Sequence, residues 1–401
     1  MKLSNDLTLI ESKNKEDVKL YNSFTNTLTE LNSEIYDYLI KCNQDEDFEN
    51  IYDILSKEQI DILIDNNILV DDNILVDDMD TYKSKEYVSV NMGQEKIIKD
   101  VYAHLTFECN LRCKYCYQKE NLNKHDVLKV EDWKMIFDTL KQKGLQRVHF
   151  TGGEPLLYSG AKEIIQYAKQ LGINTTLLTN GTKINPKDDL YNYVDNIIIS
   201  LDSMNDKMRT GLKPKNVLNN IIELNKDGKC KVFVRSVFTN GYEDDSQHVK
   251  DFVEEYGIKH IGVLCIPSVQ DEIKFIPNYD KYELIDEECG SSGCGAGDTI
   301  ISISPAGDVY PCQLLMKDEL KICNILQEDW YEKYKASNIN SLINSFDVRK
   351  VEKCNKCTYR NICGGGCRGN SYIMYGNFLT RTEYLCDYYE KCARKMLENA
   401  E

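Results

Sequence analysis

Cys109, Cys113 and Cys116 fall in the run Glu108-Cys-Asn-Leu-Arg-Cys-Lys-Tyr-Cys-Tyr117, at the spacing C-x3-C-x2-C. Cuboidal [4Fe–4S] clusters are held by Cys thiolates, and three thiolates on one loop can wrap one face of the cube. The fourth iron then stays open for a small molecule. Other uses of the run fit less well. A zinc knuckle pairs C-x2-C with a second such pair or with histidines, and this chain has five His. A disulfide framework suits a short secreted chain, whereas this one has 401 residues.

A second set of cysteines occupies the C-terminal third: Cys289-x4-Cys294, Gly307-x4-Cys312, Cys354-x2-Cys357-x5-Cys363-x3-Cys367, and Cys386. Eight thiolates are the inventory of two further four-iron clusters. A zinc site at Cys354, Cys357, Cys363 and Cys367 is the alternative use. Cys42, Cys230, Cys265, Cys323 and Cys392 are left over and read as small buried hydrophobes. Cys265 differs in closing a strand at the rim of the expected site.

The elements that must position these groups are legible in the pattern. From 100 to 268, strand candidates Val101–Phe107, Arg147–Thr151, Asn174–Leu178, Asn196–Leu201, Lys231–Phe238 and His260–Cys265 alternate with helix candidates at 131–142, 160–171, 186–195, 214–228 and 246–256. Such alternation predicts an α/β fold, a parallel sheet closed partly into a (β/α)6, TIM-like barrel. Sites on such barrels lie at the C-terminal ends of the strands, where the remaining motifs fall. Thr151-Gly-Gly-Glu-Pro155 ends the second strand. Gly152 and Gly153 would let backbone approach a ligand without a Cβ in the way, and Glu154 can accept from an ammonium. Thr179-Asn180-Gly181 ends the third strand and Ser200-Leu201-Asp202 the fourth. A carboxylate ligand would want a fork-shaped cation, for which Arg209 and Arg235 are candidates.

The triad followed one strand later by Gly-Gly-Glu-Pro resembles the radical S-adenosylmethionine (radical SAM) enzymes. That resemblance implies that the open iron chelates the methionine amino and carboxylate groups of SAM. It also implies that Glu154 and its glycines hold the amino group, that Thr179, Asn180, Ser200 and Asp202 line the pocket, and that Tyr115 lies near the adenine. One-electron cleavage of the sulfonium C5′–S bond then yields a 5′-deoxyadenosyl radical that abstracts hydrogen from substrate. The order C-x12-G-x4-C, gap, C-x2-C-x5-C-x3-C, gap, C is similar to the SPASM extension of that family. Carried over, Cys289, Cys294, Cys312 and Cys367 would hold one auxiliary cluster, with Cys289 the doubtful member. Cys354, Cys357, Cys363 and Cys386 would hold the other. The resemblance spans about residues 100–390.

Residues 1–82 read as a separate module joined by a linker, 83–99, to the core (100–268) and a Cys-rich region (269–401). Strands Leu7–Glu11, Val18–Tyr21 and Thr27–Leu31 precede a helix at Glu34–Lys41 capped by Asn32-Ser33, with further helices at 47–55 and 57–66. A tandem, Asn67–Asp72 and Asn73–Asp78, follows. The order resembles the PqqD-like winged-helix module that captures a leader peptide as an added strand.

Net charge of −16 argues against nucleic-acid binding, which needs a basic footprint, and is compatible with a basic peptide. No apolar run approaches the roughly 18 residues of a membrane span, and the N-terminus lacks a signal-like stretch. A cytoplasmic setting is expected, since oxygen-labile clusters need reducing surroundings. Among SPASM enzymes, sulfatase maturases carry an Asp after the Cys of G-x4-C, where this chain has Gln313. That difference and the N-terminal module favour a maturase of ribosomally made precursor peptides, with thioether formation expected. A sulfatase-maturating-type enzyme and a carbon–carbon crosslinking or epimerising peptide maturase are the alternatives, and a non-catalytic iron–sulfur protein a remote one. Expected partners are a precursor with its leader and an electron donor such as flavodoxin or ferredoxin.

Overall fold

The computed structural model describes residues 2–3, 7–10, 17–22, 27–45, 55–65, 68–70, 97–122, 124–267, 269–278 and 294–399. At the N-terminus β1 (Lys2–Leu3) is followed by an antiparallel meander of β2 (Leu7–Ile10), β3 (Asp17–Asn22) and β4 (Thr27–Asn32). Helix α1 (Ser33–Asp45) starts where the Asn32 side chain accepts from the Glu34 amide at 2.8 Å. Helix α2 (Lys57–Asp65) opens on a capping box, in which Ser56 and Gln59 each accept from the other's amide. Leu20, Leu39, Ile60 and Leu63 close a small core of their own. Strand β5 (Leu69–Val70), from the first tandem copy, pairs with β1. The second copy, the 83–96 part of the linker and nearly all of the expected 47–55 helix lie outside the described residues.

The centre follows the expected alternation. Strand β6 (Asp100–Thr106) leads through the cysteine loop and its short strand β7 (Arg112–Cys113) to α3 (Val130–Gln142). Then come β8 (Arg147–Gly152), α4 (Ala161–Gln170), β9 (Asn174–Thr179), β10 (Asn196–Ser200), a short β11 (Arg209–Thr210), α5 (Pro214–Asp227), β12 (Lys231–Phe238), α6 (Glu243–Glu254) and β13 (Lys259–Leu264). The six long strands are parallel, each beside its predecessor. Period-2 alternation sends Val101, Ala103, Phe150 and Ile197 outward against the helices. Helix α3 meets them with Trp133, Ile136, Phe137 and Leu140, all at most 1 % exposed, and each such burial contributes about 1.5–3 kcal/mol. Pro214 opens α5, and Gly228, at φ +69°, ends it in a left-handed cap.

One element differs from expectation. The helix at 186–195 is only a 3-10 turn, Asp189–Tyr193. The Asp188 side chain accepts from the Leu190 amide at 2.9 Å, a local bond that competes with helix propagation.

The sheet does not stop at β13. Strand β14 (Ile300–Ile303) adds in parallel beside β6, and β15 (Asp308–Tyr310) and β16 (Cys323–Asn324) follow in antiparallel order, making nine strands. Helices α7 (Trp330–Lys335), α8 (Asn338–Asn344), α9 (Arg360–Cys363), α10 (Arg368–Tyr375) and α11 (Cys386–Asn399) complete the C-terminal region. The N-terminal module packs against it: Tyr21 and Leu28 meet Tyr359, Ile362 and Ala393. Among the described residues no helix is long and apolar enough to cross a membrane.

Candidate active site

The cysteine loop leaves β6 and is pinned by a two-stranded contact, β7 against β11, with Arg209 opposite Cys113. Donors face all three sulfurs, the Gln118 amide among them at Cys116. The Leu111 amide lies 3.4 Å from Cys109 Sγ, Asn180 Nδ2 lies 3.9 Å from the same atom, and an Arg209 Nη lies 3.7 Å from Cys113 Sγ. Burial pushes the Cys113 thiol up to about 11, with Arg209 acting against it. A half-buried thiolate set ringed by donors fits a thiolate-bound cluster, whose electronics such hydrogen bonds tune.

The glycines of Thr151-Gly-Gly-Glu-Pro155 serve a nearer neighbour than a ligand. A Cβ on Gly152 would lie 2.1 Å from the Thr106 carbonyl, and one on Gly153 would lie 2.3 Å from that of Glu108. The Gly153 and Glu154 amides donate to those same carbonyls at 2.7 and 2.8 Å. The end of β8 is thus sutured to the stem of the cysteine loop. Glu154 is fully buried. It accepts from the Thr179 hydroxyl at 2.7 Å, the Asn180 amide at 2.8 Å and the Leu156 amide at 3.1 Å. Burial raises its pKa, and these three donors oppose the rise.

Asp202, Arg209 and Tyr115 form a closed set. Arg209 grips both Asp202 oxygens, at 2.8 and 3.1 Å, and the Val237 amide donates to Asp202 at 2.9 Å. The Tyr115 hydroxyl donates to the same carboxylate. Arg209 is therefore committed to Asp202 and Cys113. Arg235 is the opposite case: its Nε is buried and has no partner among the described residues. It lies opposite Ser200 in the β10–β12 register, on the face of β12 that alternates with the outward Val232 and Val234. His104 shares this inward face. Both of its ring nitrogens lack partners among the described residues, and burial lowers its pKa to about 3, so it is neutral. Cys265 packs beside Tyr115 and Met208.

The loop beyond Cys116 reaches into the C-terminal region. Gln118 donates to the Gln313 carbonyl and Asn121 to that of Met316, both at 3.1 Å, and Lys119 pairs with buried Glu272. Tyr117 donates to Gln313 Oε1 at 3.2 Å. Between these contacts a cleft of about 450 Å³ is lined by Tyr117, Gln118, Gln313, Leu314 and Met316, next to Cys312. Sequence reasoning singled out Gln313 but missed the other bridging residues, and Asn110, Thr182 and Arg112 around the triad. Only their proximity to the cysteines could have flagged them.

Two further cysteine groups assemble. Cys294, Cys312 and Cys367 interact electrostatically with one another, as do Cys354, Cys357, Cys363 and Cys386. Cys289 lies outside the described residues. Cys367 thus joins the early cysteines, and the four-cysteine zinc set is not assembled. Arg381 donates to Cys386 Sγ at 3.4 Å. Buried Arg368 donates to the carbonyls of Gly365, Gly366, Phe378 and Thr380 and acts on Cys367, Cys294, Cys354 and Cys363. Separated thiolates with cations between them fit clusters in both places.

Residues 104–254 match the radical SAM superfamily model and form a radical SAM domain, which binds a [4Fe–4S] cluster and SAM. Residues 294–358 match the SPASM iron–sulfur cluster-binding domain, which binds auxiliary iron–sulfur clusters. The chain is 28 % identical to the antilisterial bacteriocin subtilosin biosynthesis protein AlbA of Bacillus subtilis strain 168, over 67 % of this chain and 69 % of AlbA. An S-adenosylmethionine-dependent nucleotide dehydratase of Selenomonas ruminantium is 34 % identical over 33 % of this chain and half of its own length. Streptococcus suis SuiB bound to precursor peptide SuiA shares the fold at TM-score 0.59 and 18 % identity, over 96 % of this chain and 99 % of SuiB.

Proposed function

We propose that this enzyme modifies a ribosomally made precursor peptide, forming thioether crosslinks between a Cys sulfur and a carbon from which hydrogen has been taken. The observation that carries the reading is the cleft between the triad loop and Cys312. A peptide held there would lie between the SAM site and the first auxiliary site. Bound at Cys109, Cys113 and Cys116, the cluster and SAM supply a 5′-deoxyadenosyl radical. The protein's own groups do the positioning. Glu154 would face the methionine ammonium, and Arg235, whose buried Nε has no partner among the described residues, would take the methionine carboxylate. Asp202, Arg209 and Tyr115 hold the loop itself.

Each crosslink removes one hydrogen atom from the acceptor carbon, one proton from the thiol, and one electron from the carbon-centred radical. Cys294, Cys312 and Cys367 offer three thiolates to a first auxiliary cluster, which is suited to accept that electron or to bind the substrate sulfur. The second would be held by Cys354, Cys357, Cys363 and Cys386. The N-terminal meander, with β4 at its edge, suits capture of a leader as an added strand. Likeness to AlbA, a bacteriocin biosynthesis protein, and to SuiB, solved with a precursor peptide, supports a peptide substrate. A neutral Gln313, tied to Tyr117, leaves sulfatase-type chemistry without its base.

Co-expression with a Cys-containing peptide encoded beside this protein, followed by mass spectrometry, tests the reading. Loss of two hydrogens per crosslink, with a fragmentation gap at Cys, is expected. An unchanged mass, with 5′-deoxyadenosine still produced, would refute thioether formation.

A further inference from the structure

The charge of this chain is unevenly placed. Residues 347–395 contain ten basic and five acidic residues, a net +5 in a chain of −16. The concentration is greatest between Arg349 and Arg360, where five cations stand with one acid, Glu352. This segment carries Cys354 and Cys357. Lys350, Lys353 and Lys356 are exposed, while Cys354 between them is buried. Arg349 is paired with Asp347 and Lys353 with Glu383. Lys356 has no acidic partner among the described residues, and Lys350 acts on Asp347 without an ion-pair contact. A cleft of about 430 Å³ is lined by Cys354, Cys357, Cys363 and Cys386, with Arg360, Arg381 and Glu390 as its charged residues. Tyr21 and Leu28 of the N-terminal module pack on one side of this site, against Cys357, Tyr359 and Ile362. Lys350, Lys353 and Lys356 are the exposed cations of the segment that carries Cys354 and Cys357, and the exposed Asp387 and Glu390 follow Cys386.

We propose that this basic surface docks an acidic, low-potential electron-carrier protein over the second auxiliary site. The inference rests on the functional reading only in requiring an electron donor, and it holds whatever bond the enzyme makes. An acidic carrier is repelled by most of this chain and attracted here, so the field both speeds encounter and orients it. The orientation places the carrier's redox group toward Cys354 and Cys357, which the basic segment itself carries. One electron then leaves the carrier, and the cluster held by Cys354, Cys357, Cys363 and Cys386 gains it. Screening falls off over about 8 Å at physiological salt, so the attraction belongs to these few lysines and is erased by salt.

The test uses the cluster-loaded enzyme and a purified acidic two-cluster bacterial ferredoxin. Its affinity is measured by anaerobic calorimetry at low and high ionic strength, with no peptide substrate present. Charge reversal in the double variant Lys350→Glu/Lys356→Glu should weaken binding at low salt by roughly tenfold or more and flatten its salt dependence. Iron content and the rate of cluster reduction by dithionite, which needs no docking surface, should not change. Equal ferredoxin affinity in native and variant enzyme would overturn the proposal, as would failure of the native enzyme to bind. Loss of precursor-peptide affinity with ferredoxin binding intact would assign the surface to the peptide and overturn it too.

Discussion

Replacing Arg209 by Leu should do more damage than any other single change at the loop that carries the triad. Arg209 and Asp202 side chains are 9 % and 4 % exposed, and two bonds join them at 2.8 and 3.1 Å. Removing the cation strands Asp202 in the interior with only the Val237 amide and the Tyr115 hydroxyl as donors. Breaking a buried pair from one side costs about 3–5 kcal/mol, a large part of the roughly 5–15 kcal/mol that holds a domain folded. The same change deletes the donor at Cys113 Sγ. Anaerobic urea unfolding should therefore show the full penalty in Arg209→Leu, and electron paramagnetic resonance should show a weakened signal from the SAM-binding cluster. The double variant Asp202→Asn/Arg209→Leu removes both charges, so it should recover about half of the loss or more. A penalty below about 1 kcal/mol in the single variant, or strict additivity in the double, would refute this account of the pair.

Gly153→Ala should selectively cost the SAM-binding cluster, since the new Cβ meets the Glu108 carbonyl at 2.3 Å and must push the loop stem away; overpacking of this kind costs about 1–3 kcal/mol. Iron analysis and paramagnetic resonance should find the auxiliary centres retained. His104 is neutral when folded, its pKa lowered by burial to about 3 against an ordinary 6.5. Below pH 6.5 the unfolded chain binds the extra proton, so stability falls with pH by up to about 1.4 kcal/mol per unit until pH 3. His104→Met should remove that share of the acid slope in unfolding titrations; an unaltered slope would contradict it. Arg368→Met strips a buried cation from beside both auxiliary groups, and redox titration should find both centres harder to reduce.

Much of this was legible because the patterns are dense. All six barrel strands lie within two residues of the expected boundaries, since period-2 apolar alternation and turn residues mark them redundantly. The grouping of Cys367 with Cys294 and Cys312, rather than with its sequence neighbours, came from a resemblance and not from spacing. What stayed hidden depends on approach between distant segments. Nothing local says that Gly152 and Gly153 exist for the carbonyls of Thr106 and Glu108, or that Asn180 reaches Cys109. The 186–195 helix failed for a local reason, the Asp188 side chain claiming an amide.

Arg209 and Arg235 were equal candidates for a ligand carboxylate by residue type alone. Hydrogen-bond accounting separates them. Arg209 spends its fork on Asp202 and its remaining reach on Cys113, so a ligand carboxylate would have to break a buried pair to bind it. Arg235 keeps a buried Nε without a partner among the described residues, a costly state for a charged donor unless something else completes it. The two arginines therefore differ: one is spent on the loop that carries the three cysteines, and the other is the one that the proposed function assigns to an anion.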